Sequence, residues 1–276
     1  MKNSNLLIIL FLGVFVNSNL YSQKTTDPKN NDPTNKVNQV DNKGRKQGVW
    51  KKIYQNGTTA YECKFKDDKP VGEYKRYHEN GQVNALMMYD NKGYASAKIF
   101  DEDGNLVAEG FYSGKDKDST WKYYTIKKQL MAQESYKKGK KHGYSIVYGF
   151  DGNVYTHTRF IDGLENGIRK KYFPGAVLKT EEKVTDGKLN GYCIIYNEDG
   201  TLAIKGNYKD NLKHGVWTYQ GTKKKEIEYV MGKAKNQDIL DSMETKQLND
   251  YDKQKDKFAN PEQYMNNPEE FFMRKN

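Results

Sequence analysis

Residues 191–215 read GYCIIYNEDGTLAIKGNYKDNLKHG, and the glycine that opens this stretch returns at its close, 24 residues on. Gly48, Gly72, Gly143 and Gly167 fall on the same register. Counting on from Gly72 gives Ser96; one residue is then missing, and the count resumes at Ser119 and leads to Gly143. Eight copies of one unit thus fill roughly residues 48–231. A fixed period of this size is the signature of stacked repeats, each too small to bury a core alone. Such arrays present surfaces more often than they enclose catalytic pockets.

Taking the lead glycine as position zero, position +2 is aromatic at Trp50, Tyr74, Trp121 and Trp217. With the third repeat counted from Ala95, position +5 is aromatic at Tyr77, Phe100, Tyr124, Tyr148, Tyr172 and Tyr196. Positions +8 and +9 read Asn56-Gly57, Asn80-Gly81, Asp103-Gly104, Asp151-Gly152 and Asp199-Gly200. Such a pair between strand-like runs predicts a hairpin with a type I′ turn, both central residues at positive φ. The return strand carries Val83, Leu106, Leu130, Val154, Leu178 and Leu202 at +11. It carries Phe65, Tyr89, Tyr112, Tyr136, Phe160, Val184 and Tyr208 at +17. An even separation predicts that +11 and +17 share a face. The offset of three between +2 and +5 requires either a bulge or opposite faces. A second turn follows at Lys138-Gly139, Asp162-Gly163, Asp186-Gly187 and Asp210-Asn211. The expected fold is an all-β repeat protein: an elongated single-layer antiparallel meander of about eight 24-residue hairpins, with a short helical carboxyl-terminal tail. Stacking sets equivalent rings side by side, each cross-strand pair adding roughly 0.2–1 kcal/mol.

Composition agrees with a thin sheet. Hydrophobic residues make up 36% of the chain and the mean hydropathy is −1.01, too little for a thick core. Yet 22 Tyr, 11 Phe and 3 Trp are too many for a disordered chain. Tyr and Trp can bury a ring and keep a polar edge wet. The net charge of +10 divides into +4 over residues 1–47, +7 over the repeats and −1 over 232–276. Interspersed lysine keeps a flat sheet soluble and blunts its edges. The same excess would suit an anionic envelope surface, lipid headgroups included.

The ends read differently. Lys2, the apolar run Leu6–Val16, polar Asn17-Ser18-Asn19 and then Leu20-Tyr21-Ser22 before Gln23 predict a signal peptide over 1–22. Residues 23–47, rich in Asn, Lys, Asp, Thr and Pro, predict a disordered linker. Residues 48–231 are the array, and 232–276 a helical cap or docking tail. In that tail Asn260-Pro261-Glu262 and Asn267-Pro268-Glu269 read as helix starts, with Asn at the N-cap and Pro at the first helical position. The predicted compartment is periplasmic, cell-surface or secreted. Cys63 and Cys193 sit in the first and seventh repeats, roughly 55–60 Å apart at the usual strand spacing, too far for a disulfide.

The sequence offers no catalytic constellation: no H-E-x-x-H, paired C-x-x-C, phosphate loop or G-x-S-x-G. His142 and His214 share the position before the lead glycine, but three repeats, roughly 29 Å, keep them from one metal ion. Many carboxylates fall in turns, where Asp and Asn shape the backbone. The expectation is no enzyme, no cofactor, no metal and no nucleic acid. Candidate binding residues are Trp50, Tyr74, Trp121, His142, His214 and Trp217.

Two segments carry a family likeness. Tyr136-Lys137-Lys138-Gly139-Lys140-Lys141-His142-Gly143 and Tyr208-Lys209-Asp210-Asn211-Leu212-Lys213-His214-Gly215 resemble the Y-x-x-G-K-x-x-G core of MORN repeats. The 24-residue spacing and the D/N-G hairpins resemble the bacterial variant, which also occurs in proteins labelled YwqK-type antitoxins. The resemblance implies a twisted β-sheet and a scaffolding or protein-binding role, with lipid headgroups as a further ligand class. It departs from pattern at Ser96, Ser119, Thr125–Lys128 and Pro174–Ala176, where a bend or a specific contact is expected. The leading expectation is an exported protein-binding scaffold. The alternatives are an antitoxin or immunity protein with a toxin partner, and an envelope lipid or glycan binder. The glycan reading requires Trp50, Tyr74, Trp121 and Trp217 to face solvent.

Overall fold

The computed structural model describes residues 36–236, with 238, 239, 241, 242 and 245. The stretch read as signal peptide, most of the linker and most of the tail lie outside them. Nineteen strands, from Gln39–Val40 to Lys233–Ala234, form one antiparallel sheet. With one exception each strand pairs with the next along the chain, so the sheet is a meander. Leu164–Glu165 and Gly167–Tyr172 share one lane beside Val154–Ile161. The first strand lies inside the stretch read as linker and pairs Gln39 with Gln47. Residues 238, 239, 241, 242 and 245 are helical, and Ile239 packs on the cluster around Trp217.

Two bulges shape every regular repeat. The first lies on the return strand. Lys52 pairs with Tyr61 and Ile53 with Thr59, which leaves Ala60 extra. The same single residue at +12 is extra at Asn84, Val107, Met131, Tyr155, Lys179 and Ala203. It reverses the expected facing of the return strand. Position +11 pairs with +5 and +17 pairs with zero, as in Tyr77 with Val83 and Gly72 with Tyr89. Zero and +5 lie an odd number of residues apart on an unbroken strand, so +11 and +17 face opposite sides, not one. By the same count +2 and +5 use opposite faces.

The second bulge explains the glycine. Lys64 pairs with Val71 and Cys63 with Tyr74, so Gly72 and Glu73 are extra on the lead strand. The shift recurs at five later junctions. The lead residue takes a positive φ, 69° at Gly48 and Gly72 and 121° at Gly191, which glycine adopts without a Cβ penalty. Ser119 takes the same conformation at φ 57°. The third repeat does not. Tyr89 pairs with Ala95 and the register runs unbroken from there to Ala85 with Ile99. Ala95 also pairs with Tyr112, as Gly48 pairs with Phe65. The lead position of this repeat is therefore Ala95 rather than Ser96, and its junction has no bulge.

The turns also exchange the chemistry expected of them. At the Asn-Gly and Asp-Gly hairpins only the glycine has positive φ. Gly57 N–H donates to the Tyr54 carbonyl at 3.0 Å and Tyr54 N–H to the Thr58 carbonyl at 2.8 Å. This is a tight turn closed by a left-handed glycine, not type I′. Asn56 instead works through its side chain, accepting from Thr58 N–H at 3.0 Å and donating to the Glu79 carbonyl of the next repeat at 2.9 Å. The residues with two positive φ values are in the turns between repeats: Lys138-Gly139, Asp162-Gly163, Asp186-Gly187 and Asp210-Asn211.

One face, hereafter the inner face, carries the core. It presents positions +2, +4, +13, +15 and +17. Two clusters centre on Trp121 and Trp217, each 1% exposed. Cys63 and Cys193 are on this face, free and each 2% exposed. Desolvation pushes both thiols up to about 11. Native protein at pH 8 will therefore alkylate with iodoacetamide at least 100-fold slower than unfolded chain. Labelling of either cysteine at the unfolded rate would place it outside the core.

Candidate functional site

The inner face is built by complementary sizes. Trp121 lies over Gly110 and Trp217 over Gly206, so close that a Cβ on either glycine would fall 2.4 Å and 2.2 Å from the ring. Tyr112 and Tyr208 meet these indoles edge-on at 4.9 Å and 5.0 Å. A lysine at −2 closes each group. Lys117 Nζ stands 4.4 Å from the Trp121 ring centre and donates to Tyr123 Oη at 2.9 Å. Lys213 repeats this over Trp217 at 4.6 Å, donating to Tyr219 Oη at 2.9 Å. Lys46 stands 4.5 Å over Trp50. Cation–π contact of this kind adds roughly 0.5–2 kcal/mol. Desolvation pulls Lys117 below the usual lysine range. Between the clusters the same face turns polar, with Arg169 held by Glu182 and Glu165, both at 2.8 Å.

The residues singled out from sequence take structural places here. Trp121 and Trp217 are core, with each indole N–H donating to a backbone carbonyl, Phe111 at 2.9 Å and Asn207 at 3.0 Å. Their burial removes them as the solvent-facing platforms a glycan binder needs. Trp50 is half-buried against Phe65, and Tyr74 stacks on Tyr61 at 5.7 Å. His142 approaches Asp162 at 3.3 Å. His214 sits opposite Asn207, and its Nδ1 is buried without a partner. The structure does not bring these six residues together. Among the described residues no group of three or more His, Cys, Asp or Glu is placed to hold a metal ion.

A depression on the outer face lies at the irregular repeat. Leu86, Met88, Ser96, Lys98, Glu109, Phe111, Thr120 and Lys122 border an open hollow of about 440 Å³. Its lanes are positions +14 and +16 of the return strands and +1 and +3 of the lead strands. Where the second and third repeats put Met88 and Phe111 at +16, most others put charge or amide: Lys64, Arg159, Lys183 and Asn207. Met88 is 51% exposed and Phe111 47% exposed. Small Ser96 and Thr120 between and beside them leave the hollow. The unbroken register at Tyr89–Ala95 carries these lanes straight across three strands.

The hollow is also basic. Position +3 is lysine in each of the first four repeats: Lys51, Lys75, Lys98 and Lys122. Lys51 pairs with Glu62 at 3.2 Å and Lys75 with Glu73 at 2.7 Å. Glu109, which lies between Lys98 and Lys122 across the strands, instead accepts from Tyr124 Oη at 2.6 Å. Among the described residues Lys98 and Lys122 have no ion-pair partner. An exposed Met–Phe floor beside two free ammonium groups can accept a chain that alternates apolar and acidic groups. Sequence reading passed over these residues because it ranked aromatic repeats. The usable signal was the missing residue in the third repeat, together with apolar side chains at +14 and +16.

Residues 46–67, 70–91 and 189–210 match the family described as MORN repeat variant. Each matched window opens two residues before a lead glycine, so all three fall in the phase of the structural repeat. No curated protein matches the chain.

Proposed function

The repeats at 46–67, 70–91 and 189–210 are MORN-variant repeats, a type often found in protein or membrane binding, and from that premise we propose a non-enzymatic, exported protein-binding scaffold. The docking surface is the outer-face hollow at Met88, Phe111, Lys98 and Lys122. The observation that carries this reading is the coincidence of exposed apolar floor and lysines without an ion-pair partner among the described residues, at the junction of the second and third repeats, where the bulge is missing. In the same lanes Lys51, Lys75 and Lys170 are each paired with a glutamate. The amino-terminal apolar run supports export, and amino-terminal sequencing of the secreted or periplasmic form should begin at Gln23.

Affinity capture from envelope fractions tests the surface. Phe111→Glu and Met88→Glu change exposed side chains and leave the core intact. Each should reduce recovery of a partner by at least tenfold, while Val216→Glu, on the same face five repeats away, leaves recovery within twofold. Equal recovery by all three variants would refute the hollow as the docking surface.

A further inference from the structure

The hollow asks for an acidic segment with adjacent large apolar side chains, and this chain carries one. Residues 268–273 read Pro-Glu-Glu-Phe-Phe-Met, and no lysine or arginine falls between residues 258 and 273. Two glutamates match two unpaired lysines, and Phe-Phe-Met matches a floor of Leu86, Met88 and Phe111. The amino-terminal residues outside the sheet offer no such run, since 6–16 are apolar without acid and 23–35 are polar without aromatics.

We propose that the chain's own segment Glu269–Met273 occupies the outer-face hollow, with Glu269 and Glu270 facing Lys98 and Lys122. This rests on the reading of the hollow as the docking surface and adds its first occupant, which an outside partner must displace. Chain length permits it. The carboxyl-terminal helix is fixed at the last repeat, where Lys225 Nζ donates to Ser242 Oγ at 3.3 Å and Ile239 packs on the Trp217 cluster. Eleven strand spacings separate Lys225–Val230 from Tyr94–Phe100, about 53 Å at ~4.8 Å each. The 24 residues from Thr245 to Glu269 span up to about 80 Å when extended and about 36 Å as continuous helix, so the proposal requires most of this stretch to run extended rather than as the helix read from its sequence. Tethering keeps the segment at high effective concentration, so weak contacts suffice to fill the site. Apolar burial and two charge pairs on an open surface fit that requirement.

The test uses the full chain. Carbodiimide, which joins an amine directly to a carboxylate it touches, should couple Lys98 or Lys122 to Glu269 or Glu270 in monomeric protein, read by peptide mass mapping. Absence of these links, or their presence only in dimer, overturns the proposal; the second result would assign the hollow to a second copy's tail. A labelled synthetic peptide of residues 260–276 provides an independent measure by fluorescence anisotropy. It should bind the Glu269→Lys, Glu270→Lys chain at least tenfold tighter than the unaltered chain, whose hollow is filled. Adding Lys98→Glu and Lys122→Glu should remove that binding. Equal affinity for all three proteins overturns the proposal. If the peptide binds none of them while Phe111→Glu still loses the captured partner, the tail is refuted and the docking surface stands.

Discussion

Trp217→Ala will cost about 3–5 kcal/mol, the range for emptying a fully buried aromatic site. The indole is 1% exposed, edge-packed on Tyr208 at 5.0 Å and on Tyr229 at 6.3 Å, with Lys213 Nζ above it. Its N–H is also spent on the Asn207 carbonyl. The loss will be local in its consequences, because each repeat of such an array contacts only its neighbours. Hydrogen exchange should accelerate first over residues 202–230, while amides of the first three repeats keep their protection. Trp50→Ala removes a half-buried ring and should cost distinctly less. Chemical denaturation checks both, and equal costs would mean that the two tryptophans share one environment.

The second large effect separates two kinds of glycine that look alike in sequence. Gly206 has an ordinary φ, and a Cβ there would lie 2.2 Å from Trp217 Cδ2. Gly206→Ala should cost about 2–3 kcal/mol, because the ring has no free volume to enter and must leave its place. Gly110→Ala should behave alike against Trp121, at 2.4 Å. Gly72 is the reverse case: nothing lies within 4 Å of its would-be Cβ, but its φ is 69°. Gly72→Ala should cost only about 1–2 kcal/mol, and Gly72→Asn less, since Asn tolerates the left-handed region. The double variant Gly206→Ala, Trp217→Ala should cost less than the sum of its parts, as contacting sites do. Additive costs, or an alanine at Gly72 that is worse than one at Gly206, would refute this division.

Much of the fold is legible in the 24-residue register. The glycine at zero, the Asx-Gly pair eight residues on and the aromatics at +2 place both strands and both turns. What the pattern conceals is the bulge at +12. Ala60, Asn84, Val107, Met131, Tyr155, Lys179 and Ala203 share no residue type, because an extra residue on a return strand needs only space. Without it, alternation puts Val83 and Tyr89 on one face; with it, they part. The turns mislead for a related reason. Asn56-Gly57 and Asp186-Gly187 are the same kind of pair, yet Asn56 spends its side chain on Thr58 while Asp186 itself takes φ 48°. Hydrogen bonds to neighbouring repeats decide between those outcomes, and a single repeat does not contain them.

The site divides similarly. The aromatic positions that stand out in sequence stand out because they repeat, and they repeat because they stack. Trp121 and Trp217 are thus core, and the hollow proposed for docking falls where the repetition breaks. A lost residue before Ala95 removes the lead bulge and leaves the register between Val83–Tyr89 and Tyr94–Phe100 unbroken. Ser96 departs from the glycine pattern because Ala95, not Ser96, is the lead residue, and Ser96 lines the hollow. The lysines at +3 are visible as charge, but not that Glu109, between Lys98 and Lys122, accepts from Tyr124 and that among the described residues neither lysine has an ion-pair partner.

That dependence on one missing residue gives the most direct test. Replacing Asp90–Ala95 by a copy of the seven residues Lys209–Gly215, which follow Tyr208 as the originals follow Tyr89, restores the 24-residue spacing and the bulge. Met88, Phe111, Lys98 and Lys122 all remain. Partner capture by this chain, beside the unaltered one, is the measurement, with a melting curve to confirm that the sheet is intact. The account predicts a folded protein of near-unchanged melting temperature whose recovery of the partner falls at least tenfold. A folded chain that recovers the partner as well as the original would contradict it.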